Sequence, residues 1–371
     1  MQVGQSPAAG PAWPALPEPA HTDLFVAGQE GYHTYRIPAL VASASGVLLA
    51  FCEGRRRSRA DYGDVDLVLR RSLDNGGTWG PMQIIWDDGG NTIGNPCPVL
   101  DRDTGTIWLL LTRNLGADTG AQIMDGTSKG SRTVWVMRSA DEGATWSEPR
   151  EITQTTKGAD WTFYATGPGH GIQLRSGRLL IPCDHAVAGT KAYQSHVIYS
   201  DDQGATWKLG GVLTDKTNEC EAVETVDGLV YLNMRSYHGR NRRAYAWSKD
   251  GGQTWSEVEL DEALVEPVCQ ASIVRFTDKP RHGRNRVLFC NPASTKREKL
   301  TVRLSYDECN TWSAGKVLHE GPSAYSDLCI APDMSICCLY EQGERDAYER
   351  ITFAQFSLEW LTDGADHLVA M

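Results

Sequence analysis

One eight-residue pattern occurs five times, and no other feature of the chain limits its fold as strongly. Ser72-Leu-Asp-Asn-Gly-Gly-Thr-Trp79 recurs as Ser139-Ala-Asp-Glu-Gly-Ala-Thr-Trp146, Ser200-Asp-Asp-Gln-Gly-Ala-Thr-Trp207 and Ser248-Lys-Asp-Gly-Gly-Gln-Thr-Trp255. A fifth copy, Ser305-Tyr-Asp-Glu-Cys-Asn-Thr-Trp312, has Cys309 in place of glycine. Successive copies start 67, 61, 48 and 57 residues apart. The chemistry is that of a tight turn: the Asp carboxylate accepts backbone N–H bonds two or three residues on, and Gly supplies a left-handed backbone. The Trp then packs the turn against a sheet. Five of the twelve tryptophans are thereby assigned to structure.

Short runs rich in β-branched and apolar residues lie between the copies: Val47–Phe51, Val65–Leu69, Thr106–Leu111, Thr133–Met137, Leu229–Met234, Arg286–Cys290, Leu300–Leu304, Ser335–Tyr340 and Ile351–Phe356. Gly, Asp, Asn and Ser bound them, as expected of strands. Helical periodicity is nearly absent, and Asp261–Val265 reads as one turn at most. Sheets repeated about every 60 residues describe a propeller. At that interval 371 residues make six blades, one of them without a recognisable copy. The expectation is an all-β, six-bladed β-propeller occupying residues 21–371 as one domain. Residues 1–20 are rich in Pro and Ala and lack the basic head and apolar stretch of a signal peptide. They read as a disordered leader or the stub of a processed precursor.

Charge narrows the partners. Lys and Arg number 36 against 47 Asp and Glu, a net charge of −11. A field of that sign argues against nucleic acid or an anionic membrane as the main partner, yet leaves room for a small anion in a locally basic pocket. Apolar runs such as Gly46–Phe51 and Ile107–Leu111 fall well short of the roughly 20 residues of a spanning helix, so no membrane span is expected. Ten scattered cysteines without a CxxC read as buried thiols rather than a disulfide framework, with cytoplasmic and exported locations both open. Nine histidines form neither HxxxH nor HExxH, so neither metal nor cofactor is expected. Gly167-Pro-Gly-His-Gly171 imitates a phosphate loop, but Pro168 removes a donor and no βαβ unit surrounds it.

Tyr35-Arg36-Ile37-Pro38 precedes the five copies, and this combination resembles the sialidase (neuraminidase) family, which pairs an Arg-Ile-Pro motif with repeated Asp boxes on a six-bladed propeller. The resemblance covers residues 21 to about 362. It also rests on Asn95-Pro-Cys-Pro98, Gly167-Pro-Gly-His170, Asn218-Glu-Cys-Glu221, Ala324-Tyr-Ser-Asp-Leu328 and Leu339-Tyr-Glu341. Several of these look most similar to animal cytosolic sialidases, whereas the stretch around Glu53-Gly54-Arg55 looks more bacterial. The resemblance implies a retaining exo-α-sialidase that removes terminal sialic acid from glycoproteins, gangliosides and oligosaccharides without a cofactor. Rival readings are a trans-sialidase, a hydrolase of the deaminated sugar, and a non-catalytic Asp-box module that binds carbohydrate.

Sialic acid carries a carboxylate on its anomeric carbon, and converging guanidinium forks suit such a group. The family's arginine triad is matched by Arg36, by Arg235 at the end of Leu229–Arg235, and by Arg303, two residues before the last box. A carboxylate nucleophile would meet like-charge repulsion at this carbon, so a neutral phenol with a neighbouring base is the better choice. Tyr340 in Cys337-Cys-Leu-Tyr-Glu341 matches the family nucleophile, and Glu219 matches its base. Strand alternation puts 219 and 221 on one face and 224 on the other, so periodicity leaves Glu221 and Glu224 as rivals.

The family's acid/base is an Asp on the loop before the first box, here Asp61, with Asp64 as its rival and Asp66, next to a strand, read as structural. The same loop supplies a substrate-facing arginine, Arg55, with Arg56 as the alternative. Asn95 lines the pocket or else forms the turn before Pro96. Glu359 resembles the acid that orients the first arginine or is an exposed strand residue. Tyr325 and Asp327 match a family motif or sit in a turn.

Overall fold

Every Asp box ends the third strand of an antiparallel meander and turns the chain into the fourth. The computed structural model describes residues 18–368, whose strands form four sheets; a parallel Val65–Thr92 bridge and the shared strand Lys316–Ile330 join neighbouring antiparallel meanders, numbered in chain order as blades 1 to 6. Blade 1 is Thr34–Ala42, Leu48–Arg55, Val65–Ser72 and Gln83–Trp86; blade 2 is Thr92–Leu100, Ile107–Asn114, Thr133–Ser139 and Arg150–Glu151. Blade 3 opens with Trp161–Thr166 and the short Ile172–Gln173, followed by Leu179–Val187, Tyr193–Ser200 and Lys208–Asp215. Blade 4 is Thr217–Glu224, Val230–Ser236, Arg242–Ser248 and Glu259–Val265. Blade 5 contains Ser272–Thr277, Arg286–Pro292 and Glu298–Ser305. Lys316–Ile330 is shared: its first half completes blade 5 and its second half pairs with Ile336–Gln342 in blade 6.

Blade 6 continues with Arg350–Phe356, and its outer strand comes from the other end of the chain. Ala20–Val26 pairs antiparallel with Arg350–Phe356, with Ala20 opposite Gln355. Blade 6 lacks a box because its third strand runs instead into the short helix Leu358–Leu361, capped by Ser357. Ala20 therefore belongs to the blade rather than to the expected leader, and residues 1–17 lie outside the described residues. Asp261–Val265 is also corrected: it lies in the strand Glu259–Val265, paired with Arg242–Ser248.

The apolar core is divided among the blade interfaces. Leu49, Phe51 and Leu67 of blade 1 pack with Leu109, Leu111 and Met137 of blade 2. Phe25, Leu339 and Phe353 of blade 6 pack with Tyr35, Leu48 and Ala50 of blade 1, which closes the ring. The box tryptophans reinforce these seams: Trp79 meets Phe353, Trp146 meets Phe51 and Trp207 meets Trp108, each on the preceding blade.

Within each box the Asp carboxylate ties the turn. Asp74 accepts the Thr78 N–H at 2.7 Å and the Thr78 hydroxyl at 2.6 Å, and the other four copies repeat both bonds. The reach is four residues, longer than expected from the turn chemistry. Cys309 takes the left-handed backbone of the glycine it replaces, with φ of 69° against 89° at Gly76. Its N–H is held by Ser305 Oγ at 2.9 Å. All ten cysteines are free and buried. Among the described residues no helix is long and apolar enough to cross a membrane.

Candidate active site

The inner strands are irregular where they begin. Pairing registers shift between Arg36 and Ala39, Gly94 and Cys97, Thr217 and Cys220, and Ser323 and Ser326. Such bulges re-aim side chains that a regular strand would alternate. Ile37 and Asn95, each before a proline, have φ of 62° and 54°. A β-branched residue in that region is strained and stays there only when its surroundings fix it. Glu341 fixes Ile37 by accepting its N–H at 2.9 Å.

Around these bulges a polar network converges from four blades. Arg36 Nε donates to Glu341 Oε1 at 2.6 Å, and the Tyr325 N–H reaches Glu341 Oε2 at 3.1 Å. The Tyr325 hydroxyl donates to Glu219 Oε1 in a very short bond. Arg235 Nη1 donates to Glu219 Oε2 at 2.8 Å and to the Tyr325 hydroxyl at 3.1 Å. The guanidinium carbons of Arg36 and Arg297 lie 5.1 and 5.6 Å from the Tyr325 ring centre. Three arginines thus surround one buried phenol that already rests on a carboxylate.

The loop after Leu48–Arg55 brings a second carboxyl. Glu53 Oε2 accepts from Arg55 Nε and Nη2 at 2.9 and 2.6 Å, while its Oε1 accepts the Asn95 N–H at 2.9 Å. Arg55 Nη1 in turn pairs with Asp61 Oδ1 at 2.7 Å, and the Asp61 side chain is 72 % exposed. Asp66 is fully buried, accepting the Tyr32 hydroxyl and pairing with Arg56 at 2.6 Å; Asp64 faces Arg56 at 3.4 Å. Arg56 is thereby turned away from Asp61, and Arg55 is the arginine beside it.

Electrostatics separates these groups. Burial and the adjacent Glu219 push the Tyr325 phenol well above its usual range, so it keeps its proton at rest. Partial desolvation near the protein surface raises the Asp61 carboxyl, but Arg55, Arg36 and Arg132 outweigh it and hold the group below the usual carboxylate range. Burial and neighbouring Asp327 push the Glu221 carboxyl well above the usual carboxylate range. Arg132 Nε donates to Asn114 at 3.1 Å and its guanidinium lies over the Phe163 ring.

Arg36, Glu219 and Arg235 therefore belong to one network with Tyr325 and Glu341, while Glu53 joins Arg55 and Asn95 in a second, with Asp61 at its edge. Three expected residues lie elsewhere. Tyr340 is adjacent to Glu341 on a strand, so the two side chains point to opposite faces. Glu341 takes the Arg36 face; Tyr340 sits among Leu300, Leu318 and Phe356, its hydroxyl 3.2 Å from His21 Nδ1. Arg303 lies near the box end of Glu298–Ser305, with Nη1 3.3 Å from Asn291 Oδ1; Arg297, at the other end, meets Tyr325. Glu359 lies in the helix Leu358–Leu361, and the acid on Arg36 is Glu341.

The missed residues left some trace. An arginine also directly precedes the first two boxes, at Arg71 and Arg138, which marks the position around Arg303 as part of the box surroundings. Tyr325 and Asp327 lie on the second half of Lys316–Ile330, not in a turn. Asp327 is fully buried, accepting the Leu40 N–H at 2.6 Å with His170 Nδ1 at 2.7 Å. Glu221 is in the same place, 3.8 Å from His170, and accepts the Ile273 N–H at 2.9 Å. These groups staple inner strands together beneath the site. Glu224 faces Arg175 beside a cavity of about 610 Å³ that opens beyond this staple and contains none of the network residues.

Residues 46–338 match the family described as a BNR repeat-like domain. A sialidase of Micromonospora viridifaciens is 36% identical over 97% of this chain, which spans 58% of that protein. Sialidase-3 of Mus musculus is 32% identical, with 90% of this chain and 93% of the relative covered. Among solved structures, a Hadza microbial sialidase superposes with a TM-score of 0.84 at 32% identity, over 92% of this chain and 69% of that one. Trypanosoma rangeli sialidase, solved as a covalent intermediate with 2,3-difluorosialic acid, shares the fold at 21% identity and a TM-score of 0.75, over 91% and 58% of the two chains.

Proposed function

Because the chain belongs to the sialidase family, we propose that it is a retaining exo-α-sialidase acting on terminal α-linked sialic acid of glycoconjugates, with Tyr325 as nucleophile. The observation that carries this reading is the contact of the Tyr325 hydroxyl with Glu219, ringed by Arg36, Arg235 and Arg297. A phenol avoids charge repulsion at a carbon bearing a carboxylate, but near its ordinary pKa of about 10 it needs a base. Glu219 is that base. The arginines take the substrate carboxylate, and Glu341 fixes the first of them through Nε, leaving both terminal nitrogens of Arg36 for the ligand.

In the first step Tyr325 Oη bonds to the anomeric carbon as Glu219 takes the phenol proton. The bond to the aglycone oxygen breaks, and Asp61 gives that oxygen its proton. In the second step Asp61 takes a proton from water, whose oxygen bonds to the anomeric carbon from the face the aglycone left. Tyr325 departs and recovers its proton from Glu219. Two inversions restore the configuration. Asp61 starts this cycle as an anion on Arg55. An incoming carboxylate offsets the positive field of Arg36, so substrate binding itself shifts Asp61 toward the protonated form that the first step needs.

The test is trapping with a 2,3-difluoro sialic acid. One sugar mass is expected on Tyr325; no Lys or Arg lies between Tyr325 and Tyr340, so tandem fragmentation has to place the label. Label on Tyr340 or on a carboxylate would dismiss Tyr325. NMR detection of the β-anomer as first product would rule out double displacement. Transfer to added lactose in preference to water would favour the trans-sialidase reading.

A further inference from the structure

We propose that Tyr348 is a positioning residue for the arginine cluster, and that the turn carrying it also anchors the Asp61 loop through Asp346. The inference rests on the sialidase reading and concerns groups that touch neither the reacting carbon nor Glu219.

One side chain fixes two arginines from different blades. The Arg36 guanidinium lies over the Tyr348 ring at 4.1 Å, and Arg297 Nη1 donates to the Tyr348 hydroxyl at 2.5 Å. Arginine loses much rotamer freedom when it grips a ligand, and prior fixing removes that cost from binding. Tyr348 is itself held. Glu349 accepts the N–H groups of Glu344, Arg345 and Asp346 at 3.1, 3.1 and 3.3 Å, and Asp346 Oδ1 accepts the Tyr348 N–H at 2.9 Å. The other oxygen of Asp346 accepts from Arg59 Nη1 at 3.1 Å. Arg59 belongs to the acid loop, and its carbonyl accepts from Arg55 Nη1 at 2.5 Å, the same nitrogen that pairs with Asp61. A chain of contacts therefore runs from the arginines through Tyr348 and Asp346 to the loop that presents the acid. Its Arg59–Asp346 link is solvent-exposed and so of modest strength.

The experiment compares wild type, Tyr348→Phe, Tyr348→Leu and Asp346→Asn. Calorimetry measures binding of the 2,3-didehydro analogue of sialic acid. Kinetics are run on an aryl sialoside, whose leaving group needs no proton, and on a sialyl-lactose. Tyr348→Phe keeps the ring and loses the bond to Arg297, so analogue binding should weaken about tenfold and KM should rise alike on both substrates with kcat nearly unchanged. Tyr348→Leu, which also removes the support of Arg36, should weaken binding further. Asp346→Asn should lower kcat on sialyl-lactose by about threefold while leaving analogue binding and the aryl substrate at wild-type values. Wild-type affinity in Tyr348→Phe, or equal slowing of both substrates in Asp346→Asn, overturns the proposal. A wild type that neither binds the analogue nor cleaves either sialoside brings down the sialidase reading instead.

Discussion

The Asp-box turns and the bulged starts of the inner strands occupy opposite ends of the same blades, and they are built by opposite means. A meander reverses at each strand, so the end of the third lies far from the start of the first. At the box end, the defining bonds span at most four residues, as from Ser72 to Gly76 and from Asp74 to Thr78. At the site end, Arg36 reaches Glu341 across 305 residues and Tyr325 reaches Glu219 across 106. Box bonds form wherever the eight residues occur, whereas the site exists only once the ring has closed. Left-handed backbone occurs at both ends, but it is held differently: local serine bonds hold Gly76 and Cys309 in the boxes, while Ile37 is held in that region by the distant Glu341.

The sharpest break between the two ends concerns the two tyrosines. Tyr325→Phe should lower kcat by about a thousandfold or more, since the attacking oxygen is gone. Tyr340→Phe should leave kcat/KM unchanged and cost about 1 kcal/mol of stability through its lost bond to His21. Steady-state kinetics and urea melts distinguish the pair, and the reverse result would return the nucleophile to Tyr340.

The box end should answer in stability alone. Trp207 is buried against Trp108 on the preceding blade, so Trp207→Ala should cost about 3–5 kcal/mol while activity per folded molecule stays constant. Unfolding curves combined with active-site titration measure both quantities. A large loss of specific activity in the folded fraction would show that the ends are coupled.

Arginines at the two ends of Glu298–Ser305 divide in the same way. Arg297→Lys should weaken substrate binding by about 1–3 kcal/mol by losing the planar fork, and Arg303→Lys should leave KM as it is. A raised KM in Arg303→Lys would place the site wrongly.

The smallest effect is a dependence on pH. Hydrogen bonds from Thr145 hold the Asp141 carboxyl down to about 2. An unfolded Asp titrates near about 3.9, so the stabilisation is complete above that value and is lost as pH falls toward 2. Asp141→Asn should therefore flatten the fall of Tm between about pH 4 and 2 without altering catalysis at pH 6. An unchanged slope would mean that the turn bonds do not survive in solution.

How much was legible follows from this contrast. The strand runs between boxes were readable because they are apolar and β-branched. The inner strands were not: Thr34–Ala42, Thr217–Glu224 and the second half of Lys316–Ile330 carry Arg36, Glu219, Tyr325 and Asp327 where a strand signature would have apolar residues. Asp261–Val265 was misread because this outer strand sends only Leu264 into the core, while Glu262 and Ala263 are exposed, which leaves no apolar alternation to reveal it. The family position pointed to Asp61 with Asp64 as rival, and the structure sets Asp61 beside Arg55 while Asp64 faces Arg56 and Asp66 is buried under Tyr32.

By itself, then, the sequence determined the repeated turn and the all-β meander built on it. Those depend on residue type and on contacts a few positions apart, which any copy of the motif reproduces. Only the tertiary structure decided which tyrosine, which third arginine and which orienting acid meet. Tyr340 and Glu341 are neighbours on a strand, so one of them had to face Arg36 and the other had to turn away. Nothing local chooses between them. The choice is made by Arg36, 305 residues distant, whose buried guanidinium needs the carboxylate and leaves the phenol to the core.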